Sequence, residues 1–154
     1  MRLVALALLA AVLLAAGPHL RSARNSDLPG VWMMVDITSN GPSDPEDKTL
    51  APYQIFGFEK SGGMKHMTSG KPFTAGQLEL FRSAPFSTRY GLDGNGTLLL
   101  SNPSWDAALK YQCRLVSKAE AASDPKSPRA GDLLLSSVDE RGREAWSKVL
   151  RKAP

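Results

Sequence analysis

The chain has 154 residues, a formal charge of +4 and 42% hydrophobic residues, which suits one folded domain and excludes wholesale disorder. A single cysteine can form neither an internal disulfide nor a cysteine-rich zinc site, and two histidines cannot build a His-rich metal centre. The same scarcity disfavours a His-dependent hydrolase, and no motif states a biochemical activity.

Met1-Arg2 precedes an unbroken apolar run from Leu3 to Ala16. A short basic start, an apolar stretch and then small residues are the pattern of a secretory signal. The run falls short of the roughly 20 apolar residues that a bilayer-crossing helix needs. An uncleaved membrane anchor is the alternative. Ala15-Ala16-Gly17 offers small residues for cleavage, with a later option at Ala23. A lipoprotein signal would need cysteine after Leu14-Ala15-Ala16-Gly17, and Pro18 stands there, so no lipid anchor is expected. The expectation is a periplasmic or secreted protein whose signal is removed and which meets a membrane only through that segment. Loss of residues 1–16 takes away the one charge of Arg2 and leaves +3. Residues 17–27 are polar and aperiodic and read as a flexible leader; the folded domain is expected over 28–152.

From Val31 to Thr38 the residues Val31, Met33, Val35 and Ile37 share one parity and Trp32, Met34, Asp36 and Thr38 the other, which is strand period. Ser39 to Pro52 is a loop rich in Gly, Pro, Ser and acidic residues. Tyr53 to Glu59 is strand-like, Ser61-Gly62-Gly63 a turn, and Met64 to Thr68 the returning strand of a hairpin. Thr74-Ala75-Gly76-Gln77 fits a capping box, in which the Thr74 hydroxyl takes the Gln77 amide and the Gln77 side chain reaches back. It predicts a short helix over 75–83, lying across an opening; a strand through Leu78 and Leu80 is the alternative. Phe86 to Leu92 and Thr97 to Ser101 flank Asp93-Gly94-Asn95-Gly96, whose residues tolerate positive φ and make a hairpin turn. Leu109 to Ser117 alternates again. Ala119 to Ala130 reads as a long exposed loop, and Asp132 to Ser137 and Arg143 to Arg151 as the last hairpin. The count is eight short strands in a meander. Such an all-β chain can close into an antiparallel up-and-down barrel with one short helix, wide enough inside for side chains or one small ligand. A two-sheet β-sandwich is the alternative.

Leu28-Pro29-Gly30-Val31-Trp32 resembles the Gly-x-Trp opening of lipocalins and of the bacterial lipocalin-like domain. The resemblance continues in order through Phe58 to Met64, Thr74 to Phe81, Phe86 to Asp93 with Thr88-Arg89-Tyr90, Gln112-Cys113-Arg114, and Gly131-Asp132-Leu133-Leu134-Leu135. It covers about residues 28–151. Departures stand at Gly76 and Gln77, where the family commonly shows acidic residues, and at Leu99 and Leu100, where a histidine is expected. They put any shared polar chemistry inside the barrel in doubt. The resemblance implies a calycin-type barrel in which the first-strand Trp packs under a basic residue of the last strand and closes one end. Trp32 with Arg151, or with Lys148, would fill those roles, since a cation on an indole face gains about 0.5–2 kcal/mol.

Candidate chemistry is sparse. His66 lies on a strand with no Ser or Asp spaced to partner it, and a general base needs such a partner. Asp93-Gly94-Asn95-Gly96 lacks the later ligands of a calcium loop. Asp44, Glu46 and Asp47 read as a solvated acidic loop. Cys113 shares its face with Leu109, Tyr111 and Leu115 and reads as a small buried hydrophobe, with a reactive free thiol as the alternative. The stretch from Arg141 holds five basic residues and one acidic, read as a solvated strand face, since nucleic acid is a poor partner for an exported chain. No catalytic residue, metal or cofactor is assigned. Small-molecule sites are mostly apolar with a few polar anchors. The candidates are therefore Trp32, Met34, Phe56, Phe58, Met64, Tyr90 and Tyr111, with Arg89 or Arg114 as anchor. The reading is a monomeric, non-enzymatic, exported barrel that binds a small apolar or amphipathic molecule. A protein-binding or inhibitor barrel with a filled interior is the alternative, and a hydrolase or isomerase on the same scaffold a third.

Overall fold

In a computed structural model the chain is described at residues 18–39, 51–118, 124–139 and 141–154. Residues 1–16, expected to be a signal, and the acidic cluster Asp44, Glu46 and Asp47 lie outside these residues. The described strands are β1 (His19–Ser22), β2 (Gly30–Ser39), β3 (Tyr53–Phe58), β4 (Gly63–Ser69), β5 (Thr88–Leu92), β6 (Thr97–Ser101), β7 (Leu109–Lys118), β8 (Leu133–Val138) and β9 (Glu144–Lys152), with helix α1 (Ala75–Ser83) between β4 and β5. Strands β2 to β9 each pair antiparallel with their chain neighbours except that β2 also pairs with β9, which closes the ring. The molecule is thus an eight-stranded, lipocalin-like up-and-down barrel, with one short helix among the described residues. Among the described residues closure leaves no second sheet, which excludes the sandwich.

The ninth strand corrects one expectation. Residues 19–22, read as part of a flexible leader, form β1 on the edge of β7 beyond the end of β6, with Ser22 opposite Arg114 and Leu20 opposite Val116. A clip follows it. The Arg21 guanidinium donates to both Asp27 carboxylate oxygens at 2.8 and 2.9 Å, and the Arg24 N–H donates to Asp27 Oδ2 at 2.7 Å. Arg21 thereby holds the Asp27 carboxyl below its usual range. Ala23 and Leu28 are buried in the core. Two apolar residues among polar ones carry no periodicity, so the pairing is invisible in the local pattern.

In β2 the two parities face opposite sides of the wall. Trp32 and Met34 face the core, and Val31 and Met33 face outward. A bulge between Met34 and Asp36 then shifts the register, so that Ile37 lies opposite Lys148. A bulge inserts one extra residue and flips the facing of everything after it. The outward Val31, Met33 and Ile55 are apolar because α1 covers them with Leu78 and Phe81. This is why five of the six β3 residues are buried rather than every second one.

The helix spans Ala75–Ser83 and has the expected capping box at Thr74 and Gln77. It does not lie across an opening. Instead it packs on the outer wall, where a Cβ added at Gly57 would meet the Phe81 ring at 3.2 Å. Lys65 ties the helix end down: its Nζ donates to the Arg82 and Ala84 carbonyls, both at 2.9 Å, between the Phe81 and Phe86 rings. A cation at a helix C-terminus satisfies carbonyls that have no partner within the helix.

One end of the barrel is filled. Ala23, Leu28, Trp32, Phe58, Leu98, Cys113, Leu133 and Leu150 pack together there. Trp32 is 2% exposed, and its Nε1–H donates to the Leu28 carbonyl at 2.8 Å. The cation over its ring is Lys152, at 5.3 Å from the centroid. Arg151, expected in that role, takes the opposite face: it bonds Asp132 at 2.8 and 3.1 Å and the Pro125 and Ser127 carbonyls. Register decides this, because Trp32 lies opposite Lys152 and Met33 opposite Arg151. Lys148 lies four residues earlier on β9, towards the other end.

Candidate functional site

The opposite end holds a cavity of about 290 Å³. Its walls come from seven strands. β3 supplies Phe56, β4 supplies Met64 and His66, and β5 and β6 supply Thr88 and Leu100. β7 gives Tyr111 with Leu109 at its rim, β8 gives Leu135, and β9 gives Trp146 and Lys148, so in all seven strands contribute side chains. None of the described lining residues belongs to α1.

Local register explains the arrangement. Phe56 lies opposite His66 on the inward face, and their rings stack at 4.3 Å with 17° between planes. Tyr111 and Trp146 both lie opposite Ser137, one from each side, and the small serine lets their rings approach to 5.7 Å. Between β4 and β5 the ladder has only two residue pairs, Gly63 with Arg89 and Met64 with Thr88. The cavity begins where it stops. Trp105 enters from the β6–β7 loop, which Asn102 organises. The Asn102 side-chain amide donates to the Ser87 carbonyl, its oxygen accepts the Ser104 N–H, and its carbonyl accepts the Trp105 N–H. Trp105 and Leu109 remain 39% and 44% exposed, an apolar rim open to solvent.

One polar group stands on this wall. Lys148 is 6% exposed, and its Nζ donates to Gln54 Oε1 at 2.8 Å. The ammonium lies 4.8 Å from the Trp146 centroid and 5.9 Å from that of Phe56. Gln54, itself 1% exposed, is oriented by donation from its Nε2 to the Ala51 carbonyl at 3.2 Å. His66 Nε2 sits 3.3 Å from the same Gln54 oxygen. An amide oxygen only accepts, so His66 Nε2 carries the proton in this contact. Lysine, glutamine and histidine thus form one connected polar group beside an apolar cavity.

Of the residues expected at a ligand site, Phe56, Met64 and Tyr111 line this cavity. Trp32 and Phe58 belong to the filled end, and Met34 and Tyr90 pack against that core. Tyr90 meets Phe58 edge-on at 5.2 Å and donates its hydroxyl to the Glu59 carbonyl at 2.8 Å. Arg89 and Arg114, the expected anchors, do not reach the cavity. Arg89 is exposed, on the parity opposite to the cavity-lining Thr88, and Arg114 bonds Glu144 and Ser136. The basic side chain among the described lining residues, besides His66, is Lys148. Gln54, His66, Trp105, Leu109, Trp146 and Lys148 were not among the expected site residues. The aromatic–Ser–Lys alternation of Trp146, Ser147 and Lys148 was the available signal, since a strand puts residues two apart on one face.

Cys113 lies in the core at 1% exposure, and burial pushes its thiol up to about 12. The unfolded chain ionises it near 9.0, so between these values the folded state keeps a proton that the unfolded state releases. The contribution is complete below pH 9 and falls by up to about 1.4 kcal/mol per pH unit above it. Denaturant titrations from pH 8 to 10.5 are expected to show a steeper loss of stability for the native chain than for Cys113→Ala. Parallel curves would contradict the burial. Tyr90, whose hydroxyl is also raised by burial, is present in both and cancels.

No family model, curated protein or solved structure matches the chain. The barrel and its cavity are therefore what its function has to be read from.

Proposed function

We propose that the protein is an exported, non-enzymatic binding protein that holds a small apolar or amphipathic molecule in the mouth of its barrel. The observation that carries this reading is the cavity of about 290 Å³, walled by aromatic, leucine and methionine side chains and fringed by the half-exposed Trp105 and Leu109. Its size is near the lower end of the roughly 300–1,000 Å³ usual for ligand sites, so the occupant is small. The ordered likeness to bacterial lipocalin-like domains supports the same reading.

The neutral dye N-phenyl-1-naphthylamine is expected to brighten saturably, one molecule per chain. Leu135→Trp puts an indole into the cavity and is expected to weaken that binding at least tenfold, at an overpacking cost of about 1–3 kcal/mol. A native chain with no saturable signal, or a Leu135→Trp variant that binds as well, would count against the proposal.

Export is part of the proposal and rests on Leu3 to Ala16. Intact-mass measurement of protein recovered from outside the cytoplasm is expected to show loss of the first sixteen or more residues. An intact Met1 overturns the cleavage.

A further inference from the structure

We infer that the cavity selects compact, flat aromatic ring systems over saturated molecules of the same size, and that the Trp105 indole stacks on the bound ring. The inference rests on the binding reading above and names the ligand class for it.

The first observation is the make-up of the wall. Flat rings come from five separate elements: Phe56 on β3, His66 on β4, Trp105 in the β6–β7 loop, Tyr111 on β7 and Trp146 on β9. Met64 adds a thioether, which packs favourably on ring edges. Burial of apolar area is non-directional and rewards a saturated ring as much as an aromatic one. Ring quadrupoles do discriminate, because offset-stacked and edge-to-face contacts need a ring on both sides. A wall built this way therefore favours an aromatic occupant over a saturated one of equal area. Its volume of about 290 Å³ suits a compact ring system and excludes a long chain folded wholly inside.

The second observation is that four of the rings are set in pairs by the barrel itself. Phe56 and His66 lie opposite each other on the ladder and stack at 4.3 Å with 17° between planes. Tyr111 and Trp146 flank Ser137 and meet at 5.7 Å and 48°. Rings already held by their neighbours lose little freedom when a ligand packs on them, so the ordering cost of binding is low.

The third is Trp105. Among the described residues it is the lining ring on which no other ring or cation packs. It is 39% exposed, yet its loop is tied down. The Asn102 side chain bonds the Ser87 carbonyl, the Ser104 N–H and the Ser104 hydroxyl, and the Trp105 N–H donates to the Asn102 carbonyl at 3.0 Å. The loop thus holds an indole at the mouth rather than folding it away. A flat ring in the cavity gives that indole a partner and takes part of it out of water.

The test compares 2-naphthol with decahydro-2-naphthol, its saturated counterpart. Both are uncharged near neutral pH and carry one hydroxyl on the same carbon frame, so polar contacts at the wall largely cancel between them. Each is titrated by calorimetry against the native chain, Trp105→Leu and Trp105→Phe. The native chain is expected to bind the aromatic alcohol about tenfold more tightly. That ratio should fall at least threefold in Trp105→Leu and persist in Trp105→Phe, while the saturated alcohol binds all three chains within about twofold. The half-exposed position of Trp105 leaves the melting temperature of both variants close to native. Equal binding of the two alcohols, or binding of N-phenyl-1-naphthylamine with neither alcohol, overturns the aromatic inference and leaves the binding reading intact. A tenfold ratio that Trp105→Leu does not change overturns the role given to Trp105. A native chain that binds none of the three compounds overturns both the inference and the reading beneath it.

Discussion

Trp32→Ala is expected to cost about 3–5 kcal/mol of folding stability. The indole is 2% exposed and sits among Leu28, Phe58, Leu133 and Leu150 at the filled end. Removing it leaves a void that two antiparallel neighbours, β3 and β9, cannot close without breaking register at Phe56 and Lys152. It also orphans the Leu28 carbonyl, which accepts the Trp32 Nε1–H, and uncovers the Lys152 ammonium above the ring. Urea unfolding followed by circular dichroism reads the loss. A change below about 1 kcal/mol would mean that Trp32 is not what closes this end. Arg151→Ala is a useful contrast, because Arg151 stabilises through Asp132 and should leave the Trp32 emission unchanged.

Gly96→Ala is expected to cost about 2–4 kcal/mol, combining left-handed backbone with a steric clash. Gly96 has φ +81°, and a Cβ built on it would stand 2.6 Å from the Cys113 carbonyl oxygen. That oxygen accepts the Ala23 N–H at 3.0 Å, and the Cys113 N–H donates to the Gly96 carbonyl at 2.7 Å. The clash is therefore with backbone that joins the β5–β6 turn, β7 and the segment after β1. It cannot be relieved by rotating a side chain. Hydrogen exchange should show lost protection at Ala23 and Cys113 together. Gly94→Ala, two residues earlier in the turn and with nothing within 4 Å of its Cβ position, is expected to stay within about 0.5 kcal/mol. Equal effects at Gly94 and Gly96 would refute the close-approach argument.

Much of the barrel is legible in the chain because its signals are local. The helix over 75–83 follows from Thr74 and Gln77, which satisfy each other's backbone three residues apart. The turn at Asp93 to Gly96 follows from residues that tolerate positive φ and from the Asp93 carboxylate, which accepts the Asn95 and Thr97 amides. β6 and the core facing of Tyr111, Cys113 and Leu115 follow from alternation. What failed was non-local. β1 is a strand only because β7 extends past β6 and offers an edge. The bulge in β2 reverses which residues face inward, and no residue type announces it.

The candidate site divides the same way. Phe56, Met64 and Tyr111 are large and apolar, and their type alone suggested a cavity wall. Their composition could not separate the filled end from the open one. Trp32, Phe58 and Tyr90 have the same chemistry and pack at the filled end. Lys148 looked like one of several basic residues on a solvated last strand. It lines the cavity because β9 runs between two neighbours that turn its Trp146 and Lys148 face inward, where Gln54 meets it from β3.

The sequence by itself determined the eight barrel strands, the helix with its cap and the turns, because hydrogen bonds, alternation and φ preferences within a few residues decide them. It also carried the secretory pattern at its start, which is a matter of composition. Only the tertiary structure decided that the sheet closes, which end is filled, which cation covers Trp32 and which one faces the cavity. Those outcomes depend on register between strands far apart in the chain, and a shift of one residue exchanges Arg151 for Lys152 or turns a lysine from water to the interior.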